Sequence, residues 1–316
     1  KAQGLYSEAL ESLLAALAIF QEIHYTMGVV DAQRNLAEIY ANQGRYGDAL
    51  AALEQQLKLV EEEVPTEHEL ADARAPLGRL LVTLGSLEEA QRELDEANHS
   101  TGPTGYAGPE ILFGQAQLAQ LRGRGEEAAK AFEEANVAAN LSRRKEVAVE
   151  SRIELGRLYV QQGKLENAER LLTRTRSEAN DARLRPLEAE TVAALANVYL
   201  AQGKSEEARK AALEAISMAD KYAGRPVLYR AYATLGRALG KLDRTDEALD
   251  AYSRATTELD WIRGGLRPEH VESFMGRPDI QELVRETVAA LDAGGRAEGA
   301  GTLRKWLKAP SPATSG

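Results

Sequence analysis

A short turn string returns at an almost fixed interval along the chain, and it constrains the fold more than any other feature. Glycine, usually followed by a basic residue, stands five positions before an alanine. Complete copies are Gly44-Arg45 with Ala49, Gly123-Arg124 with Ala128, Gly163-Lys164 with Ala168, and Gly203-Lys204 with Ala208. Gly4 with Ala9, Gly85-Ser86 with Ala90 and Asp243-Arg244 with Ala248 are variants. Successive turn residues are 40, 41, 38, 40, 40 and 40 positions apart. A period in this range signals a stack of supersecondary units, each too small to bury its own apolar face.

Helical spacing flanks each turn. Eight residues before it stand Leu36, Leu77, Leu155, Leu195 and Leu235, with Gln115 the exception. The next position is always small: Ala37, Gly78, Ala116, Gly156, Ala196, Gly236. Three further on come Tyr40, Leu81, Ala119, Tyr159, Tyr199 and Leu239. These positions share one helix face, and the small residue admits a close neighbour. Four residues after the alanine stand Leu13, Leu53, Leu94, Phe132, Leu172, Ala212 and Tyr252, the face of a second helix. Acidic pairs such as Glu126-Glu127 and Glu206-Glu207 open that helix, where its dipole favours them. Glycine before them suits a left-handed cap on the first helix. The unit is helix, tight turn, antiparallel helix.

Leu-small-x-x-Tyr, Gly-Lys/Arg, Ala and a final large apolar residue resemble the tetratricopeptide repeat, from residue 4 to about 256. The forty-residue period departs from that family's usual 34. It is similar to the longer-helix variety of kinesin light chains and bacterial multidomain signalling regulators. HEAT and armadillo repeats share the longer period but lack this turn. The resemblance implies an all-α fold, a right-handed α-solenoid of antiparallel helix pairs. We read residues 1–308 as one solenoid, with a half repeat at 1–28, repeats over about 29–256, and a degenerate repeat and cap at 257–308. The chain begins inside a second helix, which excision from a longer protein explains, or docking of the apolar face of Ala9, Leu13, Ala16 and Leu17. Residues 309–316, rich in Pro, Ser, Ala and Gly, are expected to be disordered.

Three local expectations follow. Pro76, inside a first helix, should kink it. The Gly- and Pro-rich stretch 101–109 allows a bend of the superhelix. Gly295-Arg296 with Ala300 repeats the turn string 52 residues after Asp243, and the excess of 12 matches Gly264 to Met275, read as a loop plus one helical turn.

Several chemistries lack their residues. There is no cysteine, so disulfides and thiolate metal sites are excluded. The four histidines are scattered, and no metal or other cofactor is expected. Gly123-Arg124-Gly125 with Ala128 fits a dinucleotide fingerprint but lies between helices, not after a strand. No nucleophile–base constellation is visible, so catalysis is not expected. A net charge of −10 argues against nucleic acid. No apolar run is long enough to span a bilayer, and Leu303 to Lys308 is too short an amphipathic stretch to anchor on one. The expected location is the cytoplasm.

In the tetratricopeptide family the first helices line the concave face, so equivalent positions form stripes along it. Thirteen residues before the turn the stripe reads Asp31, Asp72, Glu110, Glu150, Glu190 and Arg230; six before it, Glu38, Arg79, Gln117, Arg157, Asn197 and Arg237. Acids in a helix's first turn satisfy its dipole anyway. The arginines of the second stripe have no such local reason. With Arg34, we take Glu38, Asp72, Arg79, Glu110, Gln117, Glu150, Arg157, Glu190, Asn197 and Arg237 as candidate partner-binding residues. The chaperone-type carboxylate clamp is missing, because Arg34 is followed by Glu38. Two functions remain open. One is a scaffold holding a protein or peptide segment in the groove, with further domains of the same parent chain among the candidates. The other is a ligand- or peptide-sensing regulatory domain of a larger bacterial signalling protein.

Overall fold

The computed structural model describes residues 2–101 and 107–307. Among these are sixteen α-helices, one short 3-10 turn and no strand. Helix α1 (Ala2–Glu22) comes first. The pairs α2 (Thr26–Asn42) and α3 (Tyr46–Glu63), α4 (Glu67–Leu84) and α5 (Leu87–Thr101), and α6 (Gly108–Leu121) and α7 (Gly125–Leu141) follow. After them come α8 (Lys145–Gln161) and α9 (Leu165–Asp181), α10 (Arg185–Ala201) and α11 (Ser205–Ala219), then the 3-10 turn Asp220–Tyr222. The last elements are α12 (Arg225–Lys241), α13 (Thr245–Gly264), α14 (Pro268–Met275), α15 (Pro278–Ala293) and α16 (Ala297–Arg304). The expected tail at 309–316 and most of the 101–109 stretch lie outside the described residues. Helix α4 runs through Pro76 without a break.

The turn string has a physical cause at each residue. Gly44, Gly85, Gly123, Gly163 and Gly203 all hold φ between 72° and 77°, as a left-handed cap requires. The next residue closes the cap: the amides of Arg45, Lys164 and Lys204 donate to the carbonyls of Tyr40, Tyr159 and Tyr199 at 2.8–2.9 Å. Their side chains then lie over the same tyrosine rings, 4.2 to 5.8 Å from the centroids. These tyrosines are half-buried lids on the turn rather than full core residues. The alanines sit where second helix crosses first: Ala49, Ala90, Ala128, Ala168 and Ala208 are fully buried. Ala9, the alanine of the first copy, is exposed.

Successive first helices pack together (α4 on α6, α6 on α8, α8 on α10, α10 on α12), whereas successive second helices scarcely meet. First helices are therefore the inner wall of a right-handed superhelix. That wall closes. The first turns of the coil rest against its last helices: a Cβ built on Gly44 would lie 3.0 Å from Ile262, and one on Gly47 would lie 2.3 Å from the carbonyl oxygen of Gly265. Tyr46 packs edge-on to Phe274 with centroids 5.9 Å apart, and α1 touches the turn Asp220–Tyr222. Side chains bonded across the seam are 184 to 213 positions apart, about five repeats. One apolar cluster accordingly runs from Leu50, Leu81 and Leu84 to Leu259, Ile262, Phe274 and Ile280. The inner wall is thus joined across a seam, and we call the space that it faces the lumen.

The inserted residues between α13 and α15 correct the sequence reading. They form the eight-residue helix α14, about two turns instead of one. Pro268 starts it, and burial of Phe274 and Met275 anchors its end.

Candidate functional site

The inner wall carries both predicted stripes, and the structure pairs most of their charges within the chain, some with each other and some with residues outside the stripes. Asp72 on α4 meets Arg34 on α2 at 3.5 Å. Glu110 on α6 meets Arg144 at 3.4 Å, just before α8. Glu190 on α10 accepts from Arg157 on α8 at 2.9 Å and from Arg230 on α12 at 3.2 Å. Arg157 also pairs with Glu154 on its own helix. Arg237 on α12 reaches Glu286 on α15 at 2.8 Å. All of these but Arg157 with Glu154 join adjacent layers, because the superhelix sets successive first helices side by side.

Arg79 is different. It passes its neighbour layer and meets Glu150 on α8 at 2.8 Å, a pair 71 positions apart. Its guanidinium lies 4.4 Å from the Phe113 ring centroid on α6. Gly114 leaves room beside it: a Cβ there would stand 2.7 Å from Leu94 and 3.1 Å from Arg79 Cγ. Asn197 accepts a hydrogen bond from Thr234 Oγ1 at 2.9 Å. The buried amide oxygen of Gln117 has no donor. Glu38 on α2 is open to the lumen.

Electrostatics divide the wall into two parts. Burial holds the Glu150 carboxyl up at about 7, outweighing Arg79. Glu38 is raised by desolvation and then by Glu146, and Glu110 by burial against the pull of Arg144. Asp72 is raised by burial despite Arg34. Further along, burial would raise Glu190, but Arg157 and Arg230 overcome it and hold it below the ordinary range. Asp279 is likewise held down against burial by Arg277 and Arg230. The α2–α8 part is short of positive charge, and the α8–α15 part is balanced.

All eleven candidate residues except Glu38, Gln117 and Asn197 hold a counter-ion within the chain. Arg144, Glu154, Arg277 and Glu286 were missed, and Arg230 was seen only as an exception to the acidic stripe. Arg230 carried a signal, since a base among five acids implies a pairing role. Glu286 carried none, because it lies beyond the regular spacing. Among the described residues no group of three or more His, Asp or Glu could hold a metal, and no helix is long and apolar enough to cross a membrane.

Paired helices, capped turns and a charged inner wall define a helical-repeat superhelix. The chain belongs to the tetratricopeptide repeat family: two models of that repeat match it, one over residues 28–97 and 187–257, the other over 76–142. Comparison with curated protein sequences gives no match. Among solved structures, a Rap protein complexed with competence and sporulation factor superposes with a TM-score of 0.67 at 13% identity, over 95% of this chain and 78% of that one. The Rap conjugation regulator of plasmid pLS20, in complex with the Phr* peptide, gives 0.60 at 15%, over 90% and 74%. The Cut9–Hcn1 hetero-tetramer of APC/C gives 0.58 at 16%, over 94% and 53%. At these identities the likeness is one of fold.

Proposed function

We propose that the lumen holds an extended protein or peptide segment bearing both basic and acidic side chains. One observation carries this reading: the inner wall is a lattice of arginines and carboxylates already drawn out of bulk water, yet still open to the lumen. Arg79 and Glu150 remain 21% and 26% exposed, and Arg157 and Glu190 21% and 23%. A ligand carboxylate or guanidinium can exchange into such pairs, with much of the wall's desolvation cost met on folding. Two structurally similar proteins are solved with a peptide or factor bound, which agrees with this use of the fold. We read the role as binding, without catalysis or a cofactor, in the cytoplasm, with no part for nucleic acid or membrane.

The second reading is a sensing domain of a larger bacterial signalling protein, in which the bound segment shifts superhelix curvature. The closed wall favours it, because a closed coil changes shape when its interior is filled. The decisive experiment selects peptides from a random display library on the full chain and on Arg157→Glu plus Arg237→Glu. Selected peptides should bind the altered chain at least about tenfold more weakly. Unchanged affinity would show that they bind elsewhere.

A further inference from the structure

The residues that break the forty-residue spacing lie where the coil closes. Between α13 and α15 the chain sends four polar side chains to the same place. Arg267 makes a double contact with Glu54 on α3, at 2.8 and 2.5 Å. His270 Nδ1, in α14, is 2.9 Å from Ser86 Oγ in the α4–α5 turn. Ser273 Oγ is 2.9 Å from the carbonyl oxygen of Leu84, and Arg277 donates to the carbonyl of Thr83 at 2.7 Å.

The last two contacts complete a helix end. Carbonyls in the final turn of a helix have no donor within it. In α4 the amides of Ser86 and Gly85 serve Leu81 and Val82. Thr83 and Leu84 receive the distant guanidinium and hydroxyl, and the guanidinium's charge also suits the negative end of the helix dipole. The backbones are close: a Cβ on Gly85 would stand 2.6 Å from the carbonyl oxygen of Ser273. Phe274, fully buried, and Met275 seal the contact from the apolar side.

We propose that this insertion is a clasp: it holds the superhelix shut, and its release opens the seam through which a polypeptide segment without a free end reaches the lumen. The proposal rests on the lumen being the binding surface. A chain end can thread a closed coil, but the middle of a chain cannot. The clasp's polar contacts release more readily than the apolar contact of Phe274 and Met275 beneath them. Its ion pair is exposed, and exposed pairs are worth little individually. Most of its other polar contacts are single hydrogen bonds, of which one helix end supplies two acceptors.

The test needs no natural ligand. The chain has no cysteine, so Glu38→Cys, at an exposed inner-wall position, places a single thiol in the lumen. Its labelling is followed with two polymers, one bearing maleimide at its end and one at its midpoint, with and without Arg267→Glu plus Arg277→Ala. The end-bearing polymer should label both chains at similar rates. The midpoint polymer should label the clasp variant about tenfold faster or more, the factor expected when a local opening is eased by one decade. Equal acceleration of both polymers, or of neither, overturns the proposal. If that variant does not fold, Ser86→Cys plus Ser273→Cys decides, since the two hydroxyl oxygens are 3.4 Å apart. Oxidation should cross-link it and slow amide exchange in α14 by about tenfold against the reduced form. Failure to cross-link, or unchanged exchange, overturns the clasp. Neither assay reads peptide affinity, so Arg157→Glu plus Arg237→Glu tests the lumen separately.

Discussion

Gly47→Ala separates a closed coil from an open one by the sign of its effect. Gly47 lies in the first turn of α3. There alanine is favoured over glycine by roughly 0.5–1 kcal/mol, so in an open solenoid the change stabilises. In this structure the new Cβ would stand 2.3 Å from the Gly265 carbonyl oxygen. A carbon and an oxygen in contact need roughly 3.3 Å, so the seam must move by about 1 Å. Overpacking on that scale costs about 1–3 kcal/mol, which exceeds the helix gain. The net expectation is a loss of about 1–2 kcal/mol. Gly125→Ala, in the first turn of α7, is the control, since nothing lies within 4 Å of its Cβ and it should stabilise. Repeat arrays unfold in parts, so amide exchange at residues 262–266 is a sharper readout than a global melt. Exchange there should accelerate in Gly47→Ala and stay unchanged in Gly125→Ala. Stabilisation of both variants alike would refute the closed seam.

Two further outcomes follow from the same geometry. The Glu150 carboxyl sits at about 7 against an ordinary 4.5. Between those values the folded chain binds a proton that the unfolded chain does not, so this group's contribution to stability falls as pH rises. Glu150→Gln removes that slope, and its unfolding free energy should diverge from that of the unaltered chain by up to about 3 kcal/mol between about pH 5 and about pH 8; parallel curves would show that the carboxyl titrates normally. Arg183, between α9 and α10, holds a left-handed φ of 60°. Arg183→Gly should therefore raise the denaturation midpoint, by about 1 kcal/mol in stability, while Gly163→Ala, at φ 72°, should lower it by a similar amount.

The helix pairs were legible because their causes are local. A left-handed cap requires glycine or a substitute such as Asp243, and a close helix crossing requires alanine. Both act within a few residues, so they leave a repeating string. The inner stripes were legible for the same reason, since a fixed interval sets equivalent positions in line. Their partners were less so. Arg157 with Glu190 follows from adjacent layers, but Arg79 with Glu150 skips a layer, passing over Phe113 and Gly114 of α6. Closure was not legible, because it sums small rotations over about five repeats, none of which has a residue signature. The insertion was visible as an excess of twelve residues, but its destination was not, since Thr83 and Leu84 contribute only backbone carbonyls and carbonyls are not encoded by residue type.

Departures from the repeat are where this molecule acquires a shape of its own. A regular position meets the same neighbour in every layer, so it can encode stacking and nothing that happens only once. A contact made once per superhelical turn must come from residues that the repeat does not dictate. Arg230 breaks the acidic stripe and holds Glu190 together with Arg157. Gly114 has no side chain where other layers have one, and Arg79 crosses there. The insertion breaks the spacing and fastens α14 to the end of α4. Substitutions at Ala128 or Ala168 should therefore act on the stability of one layer, whereas those at Arg230, Gly114 or Arg277 should act on the dimensions of the whole coil. Small-angle scattering at matched stability distinguishes the two classes, and equal changes in radius from both would show that shape here is a property of stacking alone.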